Sequence, residues 1–210
     1  FGKFSKLSFE AFKYGFYGYL NMVEAGKINP GSLLTICDFT LSSNLKRMWV
    51  IDPKNYKVLF NTLVAHGMGT GEEFATAFSN TEDSHQSSLG FYVTGETYDG
   101  NNGYSLKLNG VDGLFNSKAY DRAIVIHGAE YVSDEFARGN KRIGRSHGCP
   151  ALPVDIAPKI IDKVKNKEFS SAINKIQNFI SKNNQLSIWT NPEIAALKFE
   201  IKNLENQLNS

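Results

Sequence analysis

Six short apolar segments, each closed by Gly, Pro, Asn, Asp or a polar loop, constrain this chain most, because they read as strands and strands must pair. They span residues 32–39, 47–52, 57–65, 89–96, 103–108 and 122–127. Asp52-Pro53-Lys54-Asn55 is expected to turn the second segment into the third as a hairpin. Between the third and fourth lies a different kind of sequence. Residues 66–90 are dominated by Gly, Ser, Thr and Asn, and a polar stretch this long inside a compact domain is more often a functional loop than a plain connection.

Helical periodicity brackets the strands. Phe9, Phe12, Phe16, Tyr19, Leu20 and Val23 recur at spacings of three and four, which predicts a helix over 8–26 with Ser8 as its cap. Gly15 and Gly18 weaken that helix, so another element is expected to press closely against it. A second helix is expected over 155–165, capped by Asp155, with Pro158 tolerated in its first turn. Residues 169–182 carry Phe169, Ala172, Ile173, Ile176, Phe179 and Ile180 and read as an amphipathic helix. Residues 185–190 suit a short strand. Asn191-Pro192-Glu193 then opens a helix whose Ile194, Leu197, Ile201, Leu204 and Leu208 form a seam too short to stand alone. The expected organisation is a domain over 1–166, followed by a helical extension over 167–210 that docks on the domain.

Composition narrows the function classes. Hydrophobic residues at 41% and aromatics at 12% are ample for a core, and a net charge of +2 gives no whole-chain argument for nucleic acid. No run is apolar and long enough to span a bilayer. The chain begins at Phe1 rather than Met, as expected of a processed chain whose export signal has been removed. Positive charge does cluster at Arg138, Lys141, Arg142 and Arg145, a cationic rim suited to carboxylate-bearing substrates.

That rim leads into Ser146-His147-Gly148-Cys149-Pro150, while the sixth strand-like segment ends in His127-Gly128. A thiolate is the nucleophile of cysteine acyl transfer, and a neutral imidazole is the usual base that generates it near pH 7. The loop 128–145 is long enough to fold back and bring His127 beside Cys149. The second ring nitrogen of His127 then needs an acceptor, for which a backbone carbonyl near 128–129 would serve. Gly148 admits a substrate carbonyl close to the backbone. Pro150 has no N–H, so oxyanion donors must come from Cys149 and the amides of Gly148 and His147. His147 itself has three open roles: donor, orienting residue or pocket wall. Ser146, Gly128, Arg142, Arg145 and His66 are expected to line the substrate site, with His85 a further loop histidine within range. The other cysteine, Cys37, sits in Leu33-Leu34-Thr35-Ile36-Cys37 as a small buried hydrophobe, although a Cys37–Cys149 disulfide is formally possible. Two cysteines and four scattered histidines lack the close ligand pairs of a zinc site, so no metal is expected.

On these residues the chain resembles the YkuD-type L,D-transpeptidases, most closely the branch of murein L,D-transpeptidase catalytic domains. The family pattern of a histidine, a loop and Ser/Thr-His-Gly-Cys reads here as His127 through Ser146-His147-Gly148-Cys149. His66-Gly67-Met68-Gly69-Thr70-Gly71 and Ser87-Ser88-Leu89-Gly90-Phe91 echo a second family segment, and the likeness covers roughly residues 8–166. Two departures are a slightly longer loop before Ser146 and Pro150-Ala151 where the family commonly has an apolar residue followed by Asn or Arg. The resemblance implies a mainly β fold with peripheral helices, a mixed β-sandwich or partial barrel. It implies a periplasmic or cell-envelope enzyme without cofactor that acts on peptidoglycan stem peptides. Cys149 would attack the diaminopimelate carbonyl of a tetrapeptide stem, release the terminal D-alanine and pass the acyl group to an amine of a neighbouring stem. Carbapenems are expected to acylate the same thiol. With water as acceptor the site would be an L,D-carboxypeptidase. Another cell-wall cysteine amidase or peptidase is a rival reading, although Cys149-Pro150 disfavours the helix N-terminus such enzymes often use. A non-catalytic wall-binding module is the reading from a different class.

Overall fold

Ser8 caps the first helix as the sequence predicts, its hydroxyl accepting from the Ala11 amide at 3.1 Å in the computed structural model, which describes residues 7–166 and 169–173. That helix, α1, spans Phe9–Glu24. The strands are β1 (Leu34–Asp38), β2 (Met48–Asp52), β3 (Lys57–Thr62), β4 (Gly90–Gly100), β5 (Gly103–Gly110), β6 (Val125–Gly128), β7 (Ala151–Leu152) and β8 (Phe169–Ile173). Two further helices are α2 (Asp134–Asn140) and α3 (Ala157–Val164). All six strand-like segments of the sequence therefore form strands. The turn at residues 53–56 joins β2 to β3 as expected, with Asp52 Oδ1 accepting from the Asn55 amide at 3.0 Å.

The strands pair in the order β3-β2-β1-β8-β4-β5-β6-β7. The sheet is mixed: β1 with β8 and β6 with β7 run parallel, and the other pairs run antiparallel. Just beyond β3, Ala65 bridges to Ala151 in β7, its amide donating to the Ala151 carbonyl at 2.8 Å. A second bridge pairs Gly67 with Ser146, so the sheet curls until the segments beside its opposite edges touch at two isolated bridges. It is mainly β with peripheral helices, a partial barrel held by isolated bridges rather than closed by a ladder.

Burial follows from this curl. Strand β1 is buried along its whole length. Cys37 joins the main core with Met48, Val50, Leu106, Ile126 and Leu152. Helix α1 packs against β1 and β8, and a Cβ on Gly18 would lie 2.3 Å from the Phe91 ring, which is the close packing its glycines predict. Helix α3 supplies Ala157, Ile160, Ile161 and Val164 to the core against β5 and β6. Each of those isoleucines contributes about 1.5–3 kcal/mol by burial.

Three expectations are corrected. Helix α3 begins after Ile156, which makes no side-chain cap bond, so Asp155 is not its cap; Pro158 does fall in the first turn. Residues 134–140, anticipated only as loop, form α2, capped by Ser133. Most consequentially, residues 169–173 are a strand where the periodicity of 169–182 predicts a helix. Without β8, β1 and β4 would each present an open row of N–H and C=O groups. Inserting this segment satisfies both ladders at once, and that outweighs a 3.6-residue hydrophobic period. The sheet therefore takes in residues beyond 166. The rest of the expected 169–182 helix, the strand at 185–190 and the seam over 194–208 lie outside the described residues.

Candidate functional site

The parallel pairing of β6 with β7 brings the two motifs together. His127 is in register with Ala151 and Gly128 with Leu152, so Cys149 stands two residues before the partner of His127 on the neighbouring strand. A parallel pair needs a crossover, and residues 129–150 with α2 provide it. Core packing on both sides holds the pair: Ile126 and Leu152 lie in the main cluster, and Ala151 lies in a second one with Leu63, Val132 and Ile143. His127 is buried and Cys149 is half-buried, and both cysteines are free thiols. Cys37 is sealed in the interior, where burial pushes its thiol up to about 12.

His127 Nδ1 lies 2.9 Å from the carbonyl oxygen of Gly128. A carbonyl only accepts, so Nδ1 carries the proton and Nε2 keeps its lone pair. Burial holds the imidazole below its ordinary value, partly opposed by the Gly128 bond, so the ring is neutral at pH 7. Burial also raises the Cys149 thiol, an effect opposed by a hydrogen bond from the Val125 backbone and by the charge of Arg122. The thiol donates to Ala123 O at 3.6 Å rather than to the ring. Cys149 is therefore a thiol bonded to Ala123 O, and His127 a neutral imidazole bonded to Gly128 O.

Hydrogen bonds within the cysteine loop fix its shape. Ser146 Oγ donates to the Cys149 carbonyl at 2.6 Å and accepts from the Gly148 amide at 3.1 Å. Gly148 has φ +125°, a conformation that strongly favours glycine, and Ser87 Oγ donates to its carbonyl at 3.0 Å. Ser87 Oγ in turn accepts from the Gly67 amide at 3.0 Å. A Cβ on Gly67 would lie 2.9 Å from Gly148 Cα and 2.3 Å from His85 O, so glycine there lets three segments meet. The two polar stretches around 66–71 and 87–91 thus act as the buttress of the cysteine loop.

Several expected roles are corrected by this geometry. The Gly148 amide is committed to Ser146, which leaves the N–H groups of His147 and Cys149 as the donors without a partner among the described residues. Ser146 is buried and spent on the turn, not on substrate. Gly128 packs against α3 and the residues before it: a Cβ there would lie 3.3 Å from Ala157 Cβ and from Val154 Cα. Arg142 and Arg145 both pair with Glu72 at 2.8 Å, and Arg145 also donates to Gly71 O at 3.0 Å. They tie the crossover to residues 68–72 instead of forming an open cationic rim.

His66 is likewise interior. Arg47 Nη2 meets its Nδ1 at 2.7 Å, and its Nε2 lies 3.2 and 3.0 Å from the carbonyls of Gly71 and Glu72. Arginine only donates, so Nδ1 accepts and Nε2–H is shared by the two carbonyls. Desolvation and the Arg47 charge hold this imidazole at about 4. It braces the loop from inside.

His85, by contrast, is exposed. Its ring lies against that of His147, and both are exposed beside the cysteine loop. Met68 and Phe74, 42% and 52% exposed, add apolar surface to the same group of loops. Arg122, missed entirely by motif reasoning, lies next to Cys149, and its only sequence signal is its position at the start of the strand that carries His127. Among the described residues no cluster of three or more His, Cys, Asp or Glu side chains could hold a metal ion, and no helix is long and apolar enough to cross a membrane.

Residues 3–172 match the family described as L,D-transpeptidase catalytic domain. No curated protein matches. Among solved structures, the LD transpeptidase LdtMt1 in complex with imipenem is similar at a TM-score of 0.42 and 13% sequence identity, over 68% of this chain and 59% of that one. The chain therefore spans about three-fifths of that protein's length.

Proposed function

The chain belongs to the L,D-transpeptidase catalytic domain family, and from that premise we propose that it is a cell-envelope enzyme that cross-links peptidoglycan stem peptides through a Cys149 thioester, with His127 as general base. The observation that carries this reading is the His127 Nδ1–Gly128 O bond, which leaves Nε2 unprotonated on the strand beside the cysteine loop.

The chemistry runs in two halves. Sγ attacks the carbonyl of the donor stem while its proton moves to His127 Nε2. The oxyanion of the tetrahedral intermediate faces the N–H groups of Cys149 and His147, and one such donor contributes on the order of a hundredfold in rate. As the C–N bond breaks, His127 returns the proton to the departing amine, leaving the thioester. An acceptor amine then attacks the thioester carbonyl, its proton goes to His127, and the C–S bond breaks to restore the thiol. Water in place of the amine gives a trimmed stem, the carboxypeptidase outcome. A carbapenem would be opened by the same attack on its β-lactam carbonyl.

Incubation of wild type and Cys149→Ala with a carbapenem, followed by intact-mass measurement, tests the nucleophile. One adduct on wild type and none on the variant is expected; equal labelling of both would overturn the proposal. Product analysis with tetrapeptide stems tests the acceptor, because cross-linked dimers mark transfer and trimmed monomers alone mark hydrolysis.

A further inference from the structure

The cysteine loop has a cationic neighbour whose four Nη hydrogens are already engaged. Arg122 Nη1 donates to Ser79 O at 2.8 Å and to Ser88 Oγ, and Nη2 donates to Gln86 O at 2.6 Å and to Ser84 Oγ at 3.2 Å. All four Nη hydrogens are thereby engaged, and every acceptor is neutral. No carboxylate pairs with this guanidinium among the described residues. A partly buried cation without a counter-ion is costly, and here charge-assisted bonds to the loop offset the cost.

The same residue is built against the sulfur. A Cβ on Gly148 would lie 3.4 Å from Arg122 Nη2, and the residue after Arg122, Ala123, accepts the Cys149 thiol hydrogen. Ala123 has φ +52°, a conformation unfavourable to a side chain. Its amide donates to Tyr120 O at 3.0 Å and that of Ile124 to Ala119 O at 2.9 Å. A tight turn thus brings both a guanidinium and a carbonyl against the cysteine loop.

We propose that Arg122 is the positioning residue of the nucleophile, with two separable actions: its fork clamps residues 79–88 beside the cysteine loop, and its uncompensated charge stabilises the Cys149 thiolate as it forms. This rests on Cys149 being the acylated residue. The saturated fork argues against Arg122 as a binder of substrate carboxylate, since both Nη groups have no hydrogen left to offer. Two other groups around the sulfur carry no positive charge at neutral pH. His127 on β6 is neutral, and burial pushes the Tyr131 phenol up to about 12. The rings of His147 and His85 sit at the exposed margin, and Glu82, on the clamped loop, is the carboxylate whose field reaches Arg122.

The test follows alkylation of Cys149 by iodoacetamide from about pH 6 to pH 11 in the full chain, comparing the pH dependence of the rate between variants, with intact mass to count adducts. Limited proteolysis within 79–88 is followed in parallel. Arg122→Gln removes the charge, and its alkylation midpoint is expected to rise by about one pH unit, so the rate at pH 7 falls roughly tenfold. Arg122→Lys keeps the charge and loses the fork: its midpoint stays with wild type while cutting within 79–88 increases. A folded Arg122→Gln with an unmoved midpoint overturns the proposal, as does Arg122→Lys with a midpoint raised equally or a cutting rate unchanged. Should Arg122→Gln fail to fold, Arg122→Lys decides alone by the same two readouts. Alkylation needs neither substrate nor carbapenem, so failure of wild type to form a carbapenem adduct would remove the functional reading and leave this result standing.

Discussion

The imidazoles of His85 and His147 lie with ring centroids 4.5 Å apart and planes inclined by 58°. His85 reaches that position at φ +51°, in the left-handed region, with its carbonyl accepting from the Gly69 amide at 2.9 Å. Strain of this kind persists where surrounding contacts over-determine the backbone, and it concentrates at functional sites. His85→Ala is expected to raise KM for a stem peptide roughly fivefold to tenfold, about 1–1.4 kcal/mol of lost binding, with kcat nearly unchanged. Steady-state kinetics check it. A hundredfold fall in kcat at constant KM would instead make His85 a chemical participant.

In the proposed mechanism His127 acts through a neutral ring. Loss of general base catalysis usually costs between about a hundredfold and ten-thousandfold, so His127→Ala is expected to slow thioester formation by that much. Burial lowers the imidazole below its ordinary 6.5, and the base form is the active one. The acid limb of kcat/KM should therefore have its midpoint below 6.5, and a pH–rate profile with a midpoint above that value would contradict the assignment.

His66 links pH to stability. Its folded value of about 4 is depressed from 6.5. Its contribution is therefore fully present above pH 6.5 and is lost as pH falls through about 4. The shift corresponds to an upper figure of about 3 kcal/mol. A glutamine can accept from Arg47 and donate to Gly71 O without titrating, so the melting temperature of His66→Gln should fall less than that of wild type over this interval. The expected difference is roughly 6–12 °C. Parallel curves would show that His66 is not the group responsible.

The central strand is the last test. Ser171 pairs with Ile36 on one side and Phe91 on the other. Proline there removes a ladder bond inside the sheet, so Ser171→Pro is expected to cost about 3 kcal/mol or more. A chain ended after residue 173 should melt cooperatively and one ended after 166 should not, as circular dichroism would report. Equal melting of the two would mean that β8 is dispensable.

The existence of β1 to β6 was legible in the sequence, because short apolar runs closed by turn formers have few other uses. The His127–loop–Cys149 spacing was legible for a related reason: a strand-end histidine and a flanked thiol make a pair only if the loop between them can return. The backbone acceptor for His127 could be anticipated, since a carbonyl near 128–129 is within local reach of the ring and needs no distant acid. The internal partners of Arg142, Arg145 and His66 were not legible, because charge and type do not reveal whether a partner is already in place. Glu72 holds the two arginines, and Arg47 with two carbonyls holds the histidine.

By itself, then, the order of residues determined strands β1 to β6, the capped first helix and the residues that carry the family motif, all of which depend on local propensity and on chemistry intrinsic to side chains. Only the tertiary structure decided that residues 169–173 would complete a sheet, that Gly148 would surrender its amide to Ser146, and that the cation beside sulfur would be Arg122. Those outcomes depend on which backbone groups and charges remain unsatisfied after distant segments have met, and a linear sequence holds no distances from which to count them.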